Sequence, residues 1–158
     1  MKIDCRTVTT KDTSLILDFI KDYYKMESIR FDREKSRDAL ENLIAHENIG
    51  RIWIIEVKKK PVGYFCLTFS YTLEHYGKDC FMNEIYIKPE YQHLGIGSEV
   101  IKFIEDFLIR NDFKAIHLVV LLKNLAAFNY YIKNGFHVHD GSFMTKVLKK
   151  TAAGSTSS

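Results

Sequence analysis

Between Cys80 and Phe107 the chain reads "CFMNEIYIKPEYQHLGIGSEVIKFIEDF", and this stretch constrains the fold more than any other. An apolar run of strand character stops at Pro89, which has no N–H to give to a ladder. Two glycines a single residue apart follow, Gly95 and Gly97, and beyond them Val100, Ile101, Ile104, Phe107 and Leu108 recur at helical spacing. A strand, a Gly-x-Gly turn and a helix start therefore meet at one point, where several backbone N–H groups lack partners and the helix dipole is positive. Such a point suits an anion; its plain alternative is a tight strand-to-helix turn.

The flanking sequence builds a sheet around this junction. "KIDCRTV" has strand character, and Thr10 to Met26 follows with Leu15, Ile16, Phe19, Ile20 and Tyr23 at helical spacing. Arg33 to Ala45 predicts a second helix, closed off by Gly50. "RIWIIEV" and "VGYFCLTFSY" predict a strand pair joined by "KKKP", where Pro61 and three lysines discourage further pairing. "AIHLVVLL" is apolar and β-branched enough for a buried strand, and Asn124 to Asn134 predicts a helix stopped by Gly135. "FHVHDGSFMTKVL" predicts two last strands about a turn at Asp140-Gly141. The order β, α, α, three strands, α, β, α, two strands predicts a mixed α/β sheet with helices on both sides.

With 158 residues, 46% of them hydrophobic, the chain can bury one core, and a single domain over 1–150 is expected. The tail "TAAGSTSS", 151–158, is too polar and small to join it. A net charge of +3, spread along the chain, argues for no nucleic-acid partner. No segment approaches the roughly 20 apolar residues of a membrane span, so no membrane partner is expected. Cys5, Cys66 and Cys80 are odd in number, lack C-x-x-C spacing and lie in apolar runs, which predicts free thiols and a cytoplasmic location. His137 and His139 alternate along the chain without a Cys, Asp or Glu at ligand spacing, so no metal is expected.

Two phosphate-binding signatures fail at the glycines. A Walker A loop needs Lys and Ser or Thr after its last glycine, whereas Ser98 and Glu99 follow Gly97. A dinucleotide fingerprint needs a third glycine where Val100 stands. What remains, Gln92-x-x-Gly95-x-Gly97, resembles the pyrophosphate-binding signature of the Gcn5-related N-acetyltransferases. A second stretch, "NLAAFNYYIKNGF", repeats that superfamily's spacing of Asn, Ala, Tyr and Gly-Phe at Asn124, Ala127, Tyr131, Gly135 and Phe136. On a helix Asn124, Ala127 and Tyr131 share a face, and Leu125, Phe128 and Ile132 share another, which leaves one face for the core and one for a ligand. Taken alone, Asn124 also suits a helix cap and Tyr131 a packed aromatic.

The resemblance implies the superfamily's fold: a mostly antiparallel, twisted mixed sheet of six to seven strands with about four helices on both faces. It implies acetyl-coenzyme A as the donor, without a metal. The pyrophosphate would lie on the backbone of Gln92, His93, Leu94, Gly95, Ile96, Gly97 and Ser98, and the pantetheine arm beside Ile85, Tyr86 and Ile87 as an added strand. Asn124, Ala127 and Tyr131 complete the implied cofactor site. The reaction is attack of a primary amine on a thioester. Such an amine, of pKa about 10.4, is almost wholly protonated at neutral pH, and freeing it costs roughly 4 to 5 kcal/mol unless a base helps. Glu84, the one carboxylate in "CFMNEIYI", is the candidate base, although a lone strand glutamate more commonly faces solvent. Tyr131 matches the superfamily's tyrosine that gives a proton to the departing thiolate, and an N–H of the Glu84 to Ile87 strand would stabilise the oxyanion.

Within the superfamily, "GYFCLTFSYT", "YYKME" and "YQHLGIGSE" resemble the spermidine/spermine N-acetyltransferase-like branch, which includes diamine and thialysine acetyltransferases. That branch carries two adjacent acidic residues where this chain has Asn83-Glu84. The resemblance implies a small cationic amine as acceptor, with Tyr24, Glu27, Asn83 and Glu84 lining its site, and a homodimer. Peptide acetylation and a non-catalytic acyl-CoA sensor are the competing functions.

Overall fold

The computed structural model describes residues 2–121 and 123–148. The chain divides into two compact units, Met1–Val119 and Val120–Ser158. The expected polar tail at 151–158 lies outside the described residues.

The first unit is a five-stranded sheet in the order β1-β2-β3-β4-β5, built from β1 (Asp4–Thr7), β2 (Gly50–Val57), β3 (Lys60–Thr72), β4 (Gly77–Ile87) and β5 (Phe113–Leu118). The first three pairings are antiparallel and the last, β4 with β5, is parallel. A parallel neighbour needs a crossover, which α3 (Ile96–Arg110) supplies. The helices α1 (Thr13–Met26) and α2 (Arg33–Ala45) precede the sheet's long strands.

Period-two alternation sorts the strand residues between two cores. On one face Ile52, Ile54, Tyr64, Cys66 and Tyr86 pack with Ile16, Leu17, Phe19 and Ile20 of α1 and Leu40 of α2. On the other, Trp53 stacks on Phe65 at 5.0 Å, and Phe103 and Phe107 of α3 meet them edge-on. Each fully buried side chain of this size contributes about 1.5–3 kcal/mol of transfer free energy, which makes the faces of α1 and α3 non-interchangeable. The entry to α1 is pinned by Arg6, which donates to Asp12 and to Glu56 at 2.8 Å each.

Lys58 and Lys59 take positive φ and make the two-residue β2–β3 hairpin, with Val57 opposite Lys60. Contrary to expectation, Pro61 belongs to β3: it faces Glu56 at a register shift, where the missing N–H leaves no gap in a regular ladder. A second shift falls in β4. Cys66 faces Glu84 while Leu67 faces Met82, so Asn83 is an extra residue bulged out of the ladder. Cys66 and Cys80 are buried and Cys5 half-buried, all three as free thiols pushed up to about 12 by burial. Among the described residues no helix is long and apolar enough to cross a membrane.

The second unit carries α4 (Leu125–Lys133). Asn124 caps it by accepting from the Ala127 N–H at 3.2 Å, and Gly135 leaves it at φ +87°. Leu125 and Ile132 are exposed, so the stripe they share with Phe128 is not a closed core; helical spacing defines a stripe but not what covers it. Among the described residues the sheet holds five strands, short of the six or seven expected. The two strands expected about Asp140-Gly141 do not form among the described residues, which carry no strand from 136 to 148. Alternating polarity there marks a face, whereas a strand also needs a ladder partner.

Candidate active site

The bulge at Asn83 changes the run of β4. β5 accompanies β4 from Lys78 to Met82 and no further, so among the described residues Asn83 to Ile87 has a strand partner on one side only. The Lys88 N–H donates to the Val62 carbonyl at 2.9 Å. Antiparallel alternation then turns the polar groups of Tyr86 and Glu84 toward β3 and those of Ile85 and Ile87 toward the open side. Of the three residues expected beside a pantetheine arm, Ile85 and Ile87 thus turn main-chain groups to the open side, while those of Tyr86 belong to the β3 ladder. The Ile87 carbonyl already accepts from Gln92 Nε2 at 2.8 Å, which ties the loop to the end of the strand.

The loop itself has two left-handed residues, His93 at φ +60° and Gly95 at φ +77°. The N–H groups of residues 93–98 find no acceptor among the described residues. Gly95 is explained by its backbone. Gly97 is not: its φ is ordinary, and a Cβ there would meet only Ile87 Cδ1, at 4.0 Å. Among the described residues nothing requires glycine at 97, whereas a phosphate seated on the free N–H groups would. The residues present therefore fit the pyrophosphate of a coenzyme A.

Glu84 does not face bulk water. It is half-buried on the α1 side, where the Tyr64 hydroxyl donates to Oε2 at 2.7 Å and the Tyr24 hydroxyl also donates. Burial pushes its carboxyl above the ordinary range, and the two phenol hydrogen bonds, which favour the anion, draw it part-way back. Tyr24 is itself pushed up to about 12 by burial and by the Glu84 charge, so it stays a donor. Tyr23 meets Tyr64 edge-on at 6.5 Å, and Tyr24 meets Phe31 at 6.3 Å. A carboxylate among aromatic faces suits an amine on two counts, as a proton acceptor and as a cation site.

The other expected acceptor residues are placed differently. Asn83 is exposed and donates to Thr68 Oγ1 at 2.7 Å, and Glu27 is exposed as the residue that ends α1. Tyr64 was not foreseen. In the second unit Tyr131 is half-buried against Phe136 and Tyr130, at 5.3 and 5.6 Å, and burial holds its phenol above its usual value. His137 and His139 lie side by side, ring centroids 5.0 Å apart.

The acetyltransferase (GNAT) family model matches residues 15–136. Over 77 residues, 49% of this chain, the sequence is 32% identical to human spermidine/spermine N(1)-acetyltransferase-like protein 1; the match covers 11% of that protein. Over 70 residues, 44% of this chain, it is 36% identical to the thialysine N-epsilon-acetyltransferase of Bos taurus, covering 41% of it. The matched stretches thus span less than half the length of these curated relatives. A possible acetyltransferase from Clostridium difficile 630 superposes with a TM-score of 0.80 over 94% of this chain and 100% of the other, at 18% identity, which is a likeness of fold.

Proposed function

The chain belongs to the acetyltransferase (GNAT) family, and from that premise we propose that it transfers an acetyl group from acetyl-coenzyme A to a primary amine of a small cationic acceptor such as a polyamine. The observation that carries this reading is Glu84, a half-buried carboxylate that accepts from the phenols of Tyr64 on β3 and Tyr24 on α1 and that lies on β4, whose far edge is open there among the described residues. The names of the matched relatives point to the same acceptor class, since they include spermidine, spermine and thialysine.

The coenzyme supplies an activated thioester carbonyl, and this chain's residues do the rest. The N–H groups from His93 to Ser98 hold the pyrophosphate, and the main chain of Ile85 and Ile87 pairs with the pantetheine arm. Glu84 takes the proton from the acceptor ammonium, directly or through a water, and so exposes the nitrogen lone pair. An N–H on the open edge of β4 donates to the carbonyl oxygen as it gains charge. The matched motif assigns Tyr131 the protonation of the departing sulfur. A phenol raised by burial is fully protonated at neutral pH, as that role requires.

Tyr131→Phe keeps the ring and removes only the hydroxyl. Turnover should fall, toward the low end of the roughly 10² to 10⁴ attributed to a general acid because the leaving thiol is itself fairly acidic, while acetyl-coenzyme A affinity stays. Unchanged turnover would remove the tyrosine from the mechanism. The acceptor class is tested by thiol release from acetyl-coenzyme A with spermidine, small diamines, neutral amines and lysine peptides. Polycations should react best, and added salt should raise their KM because exposed charge attraction is screened over about 8–10 Å. Reaction with peptides alone would replace the small-amine acceptor by a protein one.

A further inference from the structure

At the other end of β4 from Glu84, three side chains from separate segments converge. Asp79 is buried in β4, His117 stands half-buried on β5 opposite Phe81, and His75 lies half-buried in the β3–β4 connection. One donor atom from each lies within 4.8 Å of the other two. We propose that His75, Asp79 and His117 bind a divalent transition-metal ion, with zinc as the ion their nitrogen and oxygen donors fit.

Donor spacing and donor preparation both support the site. In a tetrahedral zinc site with bonds of about 2.0–2.1 Å, neighbouring donors stand about 3.3 Å apart. His117 Nε2 and Asp79 Oδ2 are already at 3.3 Å, and His75, carried by a connection rather than a strand, can close the remainder. The surrounding hydroxyls prepare the donors. Ser70 donates to Asp79 Oδ1, which leaves Oδ2 turned toward the histidines. Thr72 Oγ1 lies 3.1 Å from His75 Nδ1, and where Nδ1 carries the proton of that hydrogen bond, Nε2 is a bare lone pair, the state a metal needs.

Charge balance points the same way. The buried Asp79 carboxylate has no lysine or arginine partner among the described residues, and its one ionic contact is His117, charged only when protonated. A buried carboxylate without a standing cation is costly, and a dication bound by two neutral imidazoles offsets it. Five residues along a strand separate Asp79 from Glu84, about 16 Å, so the ion would clamp the β3–β4 connection to the β4–β5 pair rather than touch the amine. Its open positions would be filled by water.

The test uses the full chain stripped with a chelator. Zn²⁺ is titrated against a coloured competing chelator, and Co²⁺ separately, whose visible absorption reports nitrogen and oxygen coordination. Because His137 and His139 could themselves hold an ion, the same titrations are run on His137→Ala/His139→Ala. One equivalent should bind in both proteins, and Zn²⁺ should raise the melting temperature of both. His75→Ala and His117→Ala should each weaken binding by about tenfold to a hundredfold or more and remove the thermal shift. His75 lies outside the strands, so its variant keeps the test sound if His117→Ala folds poorly. No stoichiometric binding by the parent, binding unchanged in His75→Ala, or binding lost with His137 and His139 would each overturn the site and leave a hydrogen-bonded Asp–His pair.

Discussion

Glu84→Gln should lower turnover by about 10² to 10⁴ while acetyl-coenzyme A binds as before. The substitution keeps the shape of the side chain and an oxygen for Tyr64 to donate to, and it removes the basic site. The size of the effect follows from the acceptor: freeing an alkyl ammonium at neutral pH costs roughly 4 to 5 kcal/mol, and a positioned base recovers much of it. Steady-state rates beside calorimetric affinities on one preparation would check this. Parental turnover in the variant would move the base elsewhere.

The same substitution has a second readout that needs no substrate. Burial raises the Glu84 pKa in the folded chain above its ordinary value of 4.5, so the folded state holds this proton more tightly than the unfolded one. Glu84 therefore favours the fold below the unfolded pKa, and that contribution is lost as pH rises through the folded pKa. The amide of the variant never ionises. The melting temperature of Glu84→Gln relative to the parent should rise as pH increases above the ordinary value of 4.5, and a flat difference would mean that Glu84 is not buried as described.

Gly97→Val should abolish measurable acetyl-coenzyme A binding or weaken it by orders of magnitude, with little loss of stability. The first half rests on the free N–H groups at 93–98, since a branched Cβ in their midst keeps a phosphate from reaching them. The second half rests on the open space around Gly97, which has ordinary φ and one neighbour at 4.0 Å. Valine is a better helix former than glycine, so the exchange near the start of α3 carries no propensity cost. Gly95→Val would be a poorer test, because at φ +77° a β-branched residue is strained whatever binds. A folded Gly97→Val protein with parental affinity would place the coenzyme elsewhere.

Much of this was readable along the chain, and what was not has a common cause. Arg33–Ala45 and the core strands follow from local period and punctuation, and Pro89 ends β4 where its missing N–H demands. The open edge was not readable, because a one-residue bulge at Asn83 leaves the run "MNEIY" looking like continuous alternation. The amide beside Glu84 therefore looked like half of an acceptor site, whereas it bonds Thr68. Tyr64 escaped notice because its contact with Glu84 is set by the β3–β4 register, a long-range property. The His75, Asp79 and His117 cluster draws on three segments and has the same origin. The strands expected after Phe136 failed for the converse reason: polarity alternates there, but no partner is paired among the described residues.

The central claim, that this chain moves an acetyl group and does not merely hold its coenzyme, is tested most directly by mass spectrometry after incubating the full chain with acetyl-labelled coenzyme and spermidine. The account predicts one labelled acetyl group on an amine of spermidine, formed by the parent and by His137→Ala/His139→Ala, and nearly absent with Glu84→Gln or Gly97→Val. Tight coenzyme binding at the Gly97 cradle with no labelled product from spermidine, other amines or peptides would contradict it, and would make the chain a sensor of acyl-coenzyme A.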